Sequence, residues 1–298
     1  MNIDNAYILE ERGILFIDGK DAKEFLQNII TNDINKVNDI NSCFASILTP
    51  QGKFLYDFLI AKHKKGFFID CEKTQIDDLF KQLNSYKFRS DVQILNLSNE
   101  FVVVAINHEK FKSLKGSLDK IGYTIKHEED VILLDPRNKK LGGRLIINLE
   151  KLNLTVKKLN LKTSDTKEYY NLSYKLSIPQ NNMNKLKNKI FAIECNFEEL
   201  NGIDFRKGCF VGQEITARIK IRNKLKRRLF ALKIDSGKVM SDNLIKFNEK
   251  EVGRVLIDNP FPFAIIKTID PDIKEFLNKE LVCGSSKIEL IKPDWIKL

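Results

Sequence analysis

The eight residues Lys207 to Glu214, KGCFVGQE, set a cysteine between two glycines just ahead of a helix-forming run that starts at Gln213. Glycine lets a chain turn tightly and approach a bound group closely. A helix start carries unpaired N–H groups that favour an anion, so Cys209 reads as a thiol poised as nucleophile or redox group. Burial as a small hydrophobe, a common fate of cysteine, is the competing reading. Just beyond, Arg218 to Arg228 holds seven basic residues, Arg218, Lys220, Arg222, Lys224, Lys226, Arg227 and Arg228, and no acid. An acidic protein, a small polyanion or a nucleic-acid backbone would suit this run, and so would a solvated lysine-rich face. No RNA-binding signature accompanies it, which ranks nucleic acid last.

The elements that must position these groups come from the apolar pattern. Ile14 to Ile17 reads as a strand, Asp18-Gly19 as a turn, and Asp21 as the cap of a helix whose apolar face is Ala22, Phe25, Leu26, Ile29 and Ile30. The stretch from Cys43 to Cys71 alternates strand-like runs with turns at Pro50-Gln51-Gly52 and Lys64-Lys65-Gly66, which predicts an antiparallel meander. A helix on Ile76, Leu79, Phe80 and Leu83 follows, then strands near Val92–Leu97 and Phe101–Ile106. A further helix is expected on Phe111, Leu114, Leu118 and Ile121, before strands near 131–134 and 144–147. Tyr169, Tyr170 and Tyr174 mark a helix ending before Pro179, with the aromatics read as packing. Beyond Leu225 short strands separated by Gly, Asp, Asn and Pro predict a small barrel. Helices beside an antiparallel sheet give an α+β class.

At 298 residues, 43% hydrophobic and 30% charged, the chain can bury two or three cores and is not a disordered polymer. Fifty Lys and Arg against 40 Asp and Glu leave +10, which points to an anionic partner or to scattered surface lysines. Cys43, Cys71, Cys195, Cys209 and Cys283 form no Cys-x-x-Cys pair, which argues for a reducing compartment. With His63, His108 and His127 isolated, no metal ligand set is expected. The amino terminus carries Asp4, Glu10 and Glu11 and lacks an apolar signal core, and Phe101–Ile106 is far too short to span a membrane. A cytoplasmic location, or an already processed chain, is the expectation.

Around Cys209 the segment FAIECNFEELNGIDFRKGCFVGQEITARIKIRNKLKRRLFAL, Phe191 to Leu232, resembles the YgfZ-type folate-binding proteins, relatives of the glycine-cleavage aminomethyltransferase or T-protein. Lys207, Gly208, Cys209, Gly212, Gln213 and Glu214 match that signature. DAKEFLQNIITNDI from Asp21, LTPQGK from Leu48, YKFRSDV from Tyr86 and DPR from Asp135 agree in the same order. The resemblance implies an aminomethyltransferase-like three-domain ring with a C-terminal β-barrel. Its folate-binding region would span 1–225, built from two intertwined subdomains (roughly 1–40 with 135–225, and 41–134), with the barrel over 226–298. It further implies tetrahydrofolate as cofactor, a role in assembly or repair of iron–sulfur proteins, and iron–sulfur client or assembly proteins as partners.

A pterin presents adjacent N–H donors that a buried carboxylate accepts. Glu194 interrupts the apolar Phe191-Ala192-Ile193 and aligns with the pterin-binding acid; an exposed strand residue is its other reading. Asn32 and Asp33, past the end of a helix, project into the cleft or cap a turn. Arg89 orients a ligand carboxylate or holds a neighbouring domain. Lys207, Gly208, Gln213, Glu214 and Arg218 complete the expected binding set, the basic run serving the glutamate tail. Where the aminomethyltransferases carry paired acids, Gly52-Lys53-Phe54-Leu55-Tyr56-Asp57 keeps one, and Cys209 is gained. That exchange favours a folate-binding assembly factor over a one-carbon (aminomethyl) transferase, with an RNA-binding or tRNA-modification accessory role third.

Overall fold

In the computed structural model of the chain, which describes residues 1–127, 130–222 and 225–298, two compact units are built from interleaved segments. The first takes Met1–Leu48, Tyr56–Tyr170 and Leu200–Val211. It holds two sheets. The six-stranded one runs in the order Lys162–Ser164, Asn5–Ile8, Phe101–Ile106, Gly143–Asn148, Asp130–Leu134, Thr124–His127, antiparallel but for the first pair. The five-stranded one runs Cys43–Leu48, Phe54–His63, Gly66–Glu72, Arg12–Asp18, Gln93–Asn96. β-Branched and aromatic residues fill these strands, and helix Ala22–Ile29 buries Ala22, Phe25, Leu26 and Ile29, the spacing the sequence set out.

Within this unit the sheets are joined by buried charge. Arg12 opens one strand of the five-stranded sheet and donates through Nε to Asp70 Oδ1 (2.7 Å) and through Nη2 to the Asp70 carbonyl (2.8 Å). Arg144, fully buried on Gly143–Asn148 of the other sheet, donates to Asp70 Oδ2 at 2.7 Å and to the Tyr169 hydroxyl. Asp135 lies 3.7 Å from Arg144 and is gripped by both Nε and Nη2 of Arg137, at 3.0 and 2.6 Å. Burial alone would push Asp70 and Asp135 up, but Arg12 and Arg144 on the one, Arg137 and Arg144 on the other, more than offset it and hold both carboxyls low.

The second unit takes Thr49–Leu55, Asn171–Glu199 and Gly212–Leu298. Six strands close into a barrel in the order Arg227–Ser236, Phe263–Lys267, Lys250–Ile257, Leu244–Phe247, Leu281–Cys283, Ser286–Ile291, around Phe230, Ile245, Val252, Val255 and Phe276. No helix among the described residues is long and apolar enough to cross a membrane.

Several expectations shift. Arg12–Asp18 pairs with Gly66–Glu72, so a subdomain boundary at residue 40 would cut through a sheet. Residues 171–199 and 212–225, expected with the folate region, go with the barrel where they are described. The helix over Phe111 to Ile121 stops at Ser113, where Leu114 turns extended (φ −72°, ψ 139°), and Leu118 and Ile121 are exposed. Asp21 makes no side-chain cap; its carboxylate accepts from the Asp91 N–H instead, at 2.8 Å. Strand Leu281–Cys283 and helix Leu152–Lys158 are short and carry little periodic signal in the sequence.

Removing the Arg144 charge leaves Asp70 and Asp135 buried and under-paired. Arg144→Met should therefore lower stability by about 3–5 kcal/mol, measured by urea denaturation of wild type and variant.

Candidate functional site

All five cysteines lie among the described residues, and of them only Cys209 is exposed. Burial pushes the Cys43 thiol up to about 12 and raises those of Cys71 and Cys283 as well, which leaves them inert. Cys209 sits in a loop, and the helix that follows it in sequence, Gln213–Ile221, begins four residues later. The thiol is thus outside the first turn, where a helix dipole acts most strongly, and its claim to reactivity rests on access.

The two glycines of the octet differ. Gly212 caps the helix with a φ of 82°, while Gly208 has no positive φ and nothing within 4 Å of where a Cβ would stand. Gly52, at φ 76°, lets its turn come against the Gly212 carbonyl, 3.3 Å from its own would-be Cβ. The close approach expected of the octet belongs to Gly212 and Gly52.

In the first unit, Lys207 tethers the loop that carries Cys209. Its Nζ donates to the carbonyls of Gln27 (2.6 Å) and Ile30 (2.5 Å), capping the C-terminal end of helix Ala22–Ile29. Burial pulls this ammonium down to about 8. Thr31 adds a hydroxyl bond to the Gly202 carbonyl at 2.6 Å and takes the Asp204 N–H at 3.0 Å, and Lys36 pairs with Asp204. Asn32 spends both amide hydrogens on the carbonyls of Phe44 and Asn201, each at 2.7 Å, and its Oδ1 on the Asp33 N–H. Asp33 caps the short helical turn Ile34–Lys36 through the Asn35 N–H at 3.0 Å. Asn32 therefore braces the loop and Asp33 caps its own turn, instead of projecting freely from the helix end. The DPR segment does the same work: Asp135 grips Arg137, and the Pro136 carbonyl accepts from Asn201 at 3.1 Å.

In the second unit, Glu194 lies buried in a run of turns instead of on a strand. Phe54 fixes that run by exchanging backbone bonds with Ile190 and Asn188, both 2.9 Å, and by packing edge-on against Phe197. Glu194 Oε2 accepts the Phe191 N–H, and Oε1 accepts Nε and Nη2 of Arg227, all at 2.9 Å. The basic run meets its acids here. Arg227 takes Glu194, Arg228 takes Glu199 at 2.6 Å, Lys220 takes Glu198, and Arg218 takes Glu214 one turn back at 2.7 Å. An acidic partner for this stretch is thus present in the same unit, and Lys224 lies outside the described residues. Gln213 and Glu214 occupy the first turn of the helix, with the Glu214–Arg218 pair facing solvent.

Arg89 is exposed beside Phe88, at the end of helix Ile76–Lys87, among the walls of an open cavity of about 580 Å³. Phe88 holds φ 45° and ψ −114°, a conformation that costs a side-chain-bearing residue on the order of 1–3 kcal/mol. Nothing local to residue 57 marks its environment: Asp57 is buried beside the charged array, and burial pushes its carboxyl up to about 6 although Arg12 and Arg137 pull the other way. Charged residues inside apolar strand runs, as in FFIDC and GGRLII, were the available signal for that array.

The profile of the GCVT N-terminal domain matches residues 11–108. The glycine cleavage system aminomethyltransferase T from Bartonella henselae superposes with a TM-score of 0.75 at 13% identity, over 98% of this chain and 86% of that one. The fold is aminomethyltransferase-like. The iron-sulfur cluster assembly factor IBA57 homolog of Dictyostelium discoideum, a mitochondrial protein, is 27% identical over 270 residues, or 80% of this chain and 65% of the relative. IBA57 of Mus musculus, also mitochondrial, is 26% identical over 249 residues, 77% of this chain and 66% of its own. This chain thus spans just under two thirds of the length of these relatives. The expected cytoplasmic location is overturned by them, since they are mitochondrial proteins.

The Asp57 carboxyl makes stability depend on pH. Its folded pKa lies above the ordinary carboxylate value, so the stability it contributes is complete below about pH 4 and is lost as pH rises through about 6. Asp57→Asn should flatten stability across that window and stabilise the protein at pH 7 by up to about 3 kcal/mol, read from urea midpoints at a series of pH values.

Proposed function

We propose that this protein binds a reduced folate and serves the assembly or repair of iron–sulfur proteins, with Cys209 as its reactive thiol and, following its relatives, a mitochondrial location. The observation that carries the reading is the exposed Cys209 on a loop anchored by Lys207, Thr31 and Asn32. The similarity to iron–sulfur cluster assembly factors supports it. Exposure gives the thiol access to another protein, and the tethers keep its loop in place.

Glu194 suits a pterin in charge and burial. Its Oε2 uses one acceptor position on the Phe191 N–H and keeps another, while Arg227 fixes the carboxylate from the Oε1 side. Glu194 would hold the N–H edge of the pterin, and Arg227, half-exposed, is free to shift as it does so. A reduced folate supplies nitrogens able to carry a one-carbon unit. A folate-dependent one-carbon transferase is the second reading, favoured by the aminomethyltransferase-like fold and by an Asp57 carboxyl at about 6 that can hold or release a proton near neutrality. Absence of exchange between tetrahydrofolate and an aminomethyl or methyl donor would remove it for that donor.

Two measurements test the main reading. By calorimetry, tetrahydrofolate should bind wild type, and Glu194→Ala should weaken it about 10- to 100-fold, the loss of a charge-assisted pair; no heat from wild type at high micromolar folate counts against folate. In cells lacking the protein, Cys209→Ser should fail to restore maturation of a cluster enzyme. Full rescue would reduce the thiol to a structural detail.

A further inference from the structure

A second cavity of the first unit, about 330 Å³, lies where its two sheets meet. Phe16 and His63 come to it from the five-stranded sheet, Phe101, Asp130 and Asn148 from the six-stranded one. His63 is stacked on Phe68 with ring centres 4.2 Å apart, and it stands edge-on to Phe16 and Phe101, each at 6.0 Å. Phe16 and Phe101 are only half-buried, so apolar ring surface is left uncovered at the cavity.

Asp130, 3% exposed, lines the same cavity and makes no ion pair among the described residues. Its carboxylate accepts from the Thr155 hydroxyl at 2.8 Å and from the Asn148 N–H, and burial raises its pKa despite those bonds and the pull of Lys151 and His127. A buried carboxylate without a counter-ion is costly, and one set in the wall of an aromatic-lined cavity is placed to receive a cation. The lining carries the opposite sign as well. Lys64 is exposed and has no ion-pair partner among the described residues. Asn148 gives its side-chain oxygen to the Glu150 N–H at 3.0 Å, which leaves its amide NH2 unspent among those residues. With Glu100 and Lys151 also in the wall, acids and lysines are balanced.

We propose that this cavity binds a free α-amino acid with an apolar side chain, its ammonium on Asp130, its carboxylate against Lys64 and the Asn148 amide, and its side chain along Phe16, Phe101 and Leu97. A ligand carrying both charges matches both signs of the wall, whereas a simple anion would face Asp130 and a simple cation Lys64. The volume is at the small end for ligand cavities, which suits an amino acid better than a nucleotide or a folate. The site needs neither Cys209 nor Glu194.

Calorimetry on the full chain with L-phenylalanine and L-leucine tests this. At least one should bind, and its decarboxylated amine, its deaminated acid and its amide should each bind about 10- to 100-fold more weakly, since each lacks one charge. The amide stands in for the amino terminus of a peptide. Asp130→Asn keeps an acceptor for Thr155, so it should weaken binding about 10- to 100-fold without lowering the thermal midpoint, whereas an Asp130 that only anchors Thr155 predicts unchanged binding. Lys64→Gln, on an exposed turn, should weaken the amino acid about threefold or more and leave the amine analogue unaffected. No binding of either amino acid at about 10 mM, an analogue or amide within about twofold of its parent, or wild-type affinity in both variants overturns the proposal. Should Asp130→Asn fail to fold, the analogues and Lys64→Gln decide it.

Discussion

Two arginines on one aspartate hold the first unit together. Asp70 receives Arg12 from its own sheet and Arg144 from the other, so a single buried carboxylate fixes the separation and register of two layers. Apolar contact is non-directional, whereas a charge-assisted hydrogen bond needs its donor and acceptor about 3 Å apart and aligned. Buried charges are costly when left unpaired, which makes misaligned arrangements of the two sheets unfavourable. Asp57, close to the same array but with its proton held more tightly, shows the other side of that arrangement: one carboxylate more than the arginines can fully compensate.

Much of this was readable from the chain alone. Apolar alternation located most strands, and the 3.6-residue spacing found helix Ala22–Ile29, because both signals reflect one buried face. The KGCFVGQE octet located the exposed thiol. What pattern could not supply was partnership across sequence. Lys207 looked like a binding residue and is a helix cap, since nothing local says that carbonyls 27 and 30 lie within its reach. The basic run looked available and is largely met by Glu194, Glu198, Glu199 and Glu214, acids that lie nearby in sequence yet come into register only through the turn after Phe191 and the helical repeat. Asp70 and Arg144 sit 74 residues apart and were invisible as a pair.

The same difference separates two kinds of residue within one motif. Lys207 and Gly212 are spent on geometry, the one through its hydrogen bonds and the other through its φ. Cys209 and Gly208 are not: the first is exposed, and the second has open space where a side chain would be. A short signature therefore mixes instructions for folding with an opportunity for chemistry, and their sequence order does not reveal which is which.

That open space beside Cys209 has a practical meaning. A loop held at its base by Lys207 and Thr31, with room at its tip, behaves as a mount with an interchangeable fitting. Bulk can be added at Gly208 without asking the rest of the molecule to move, so the frame tolerates change at that point.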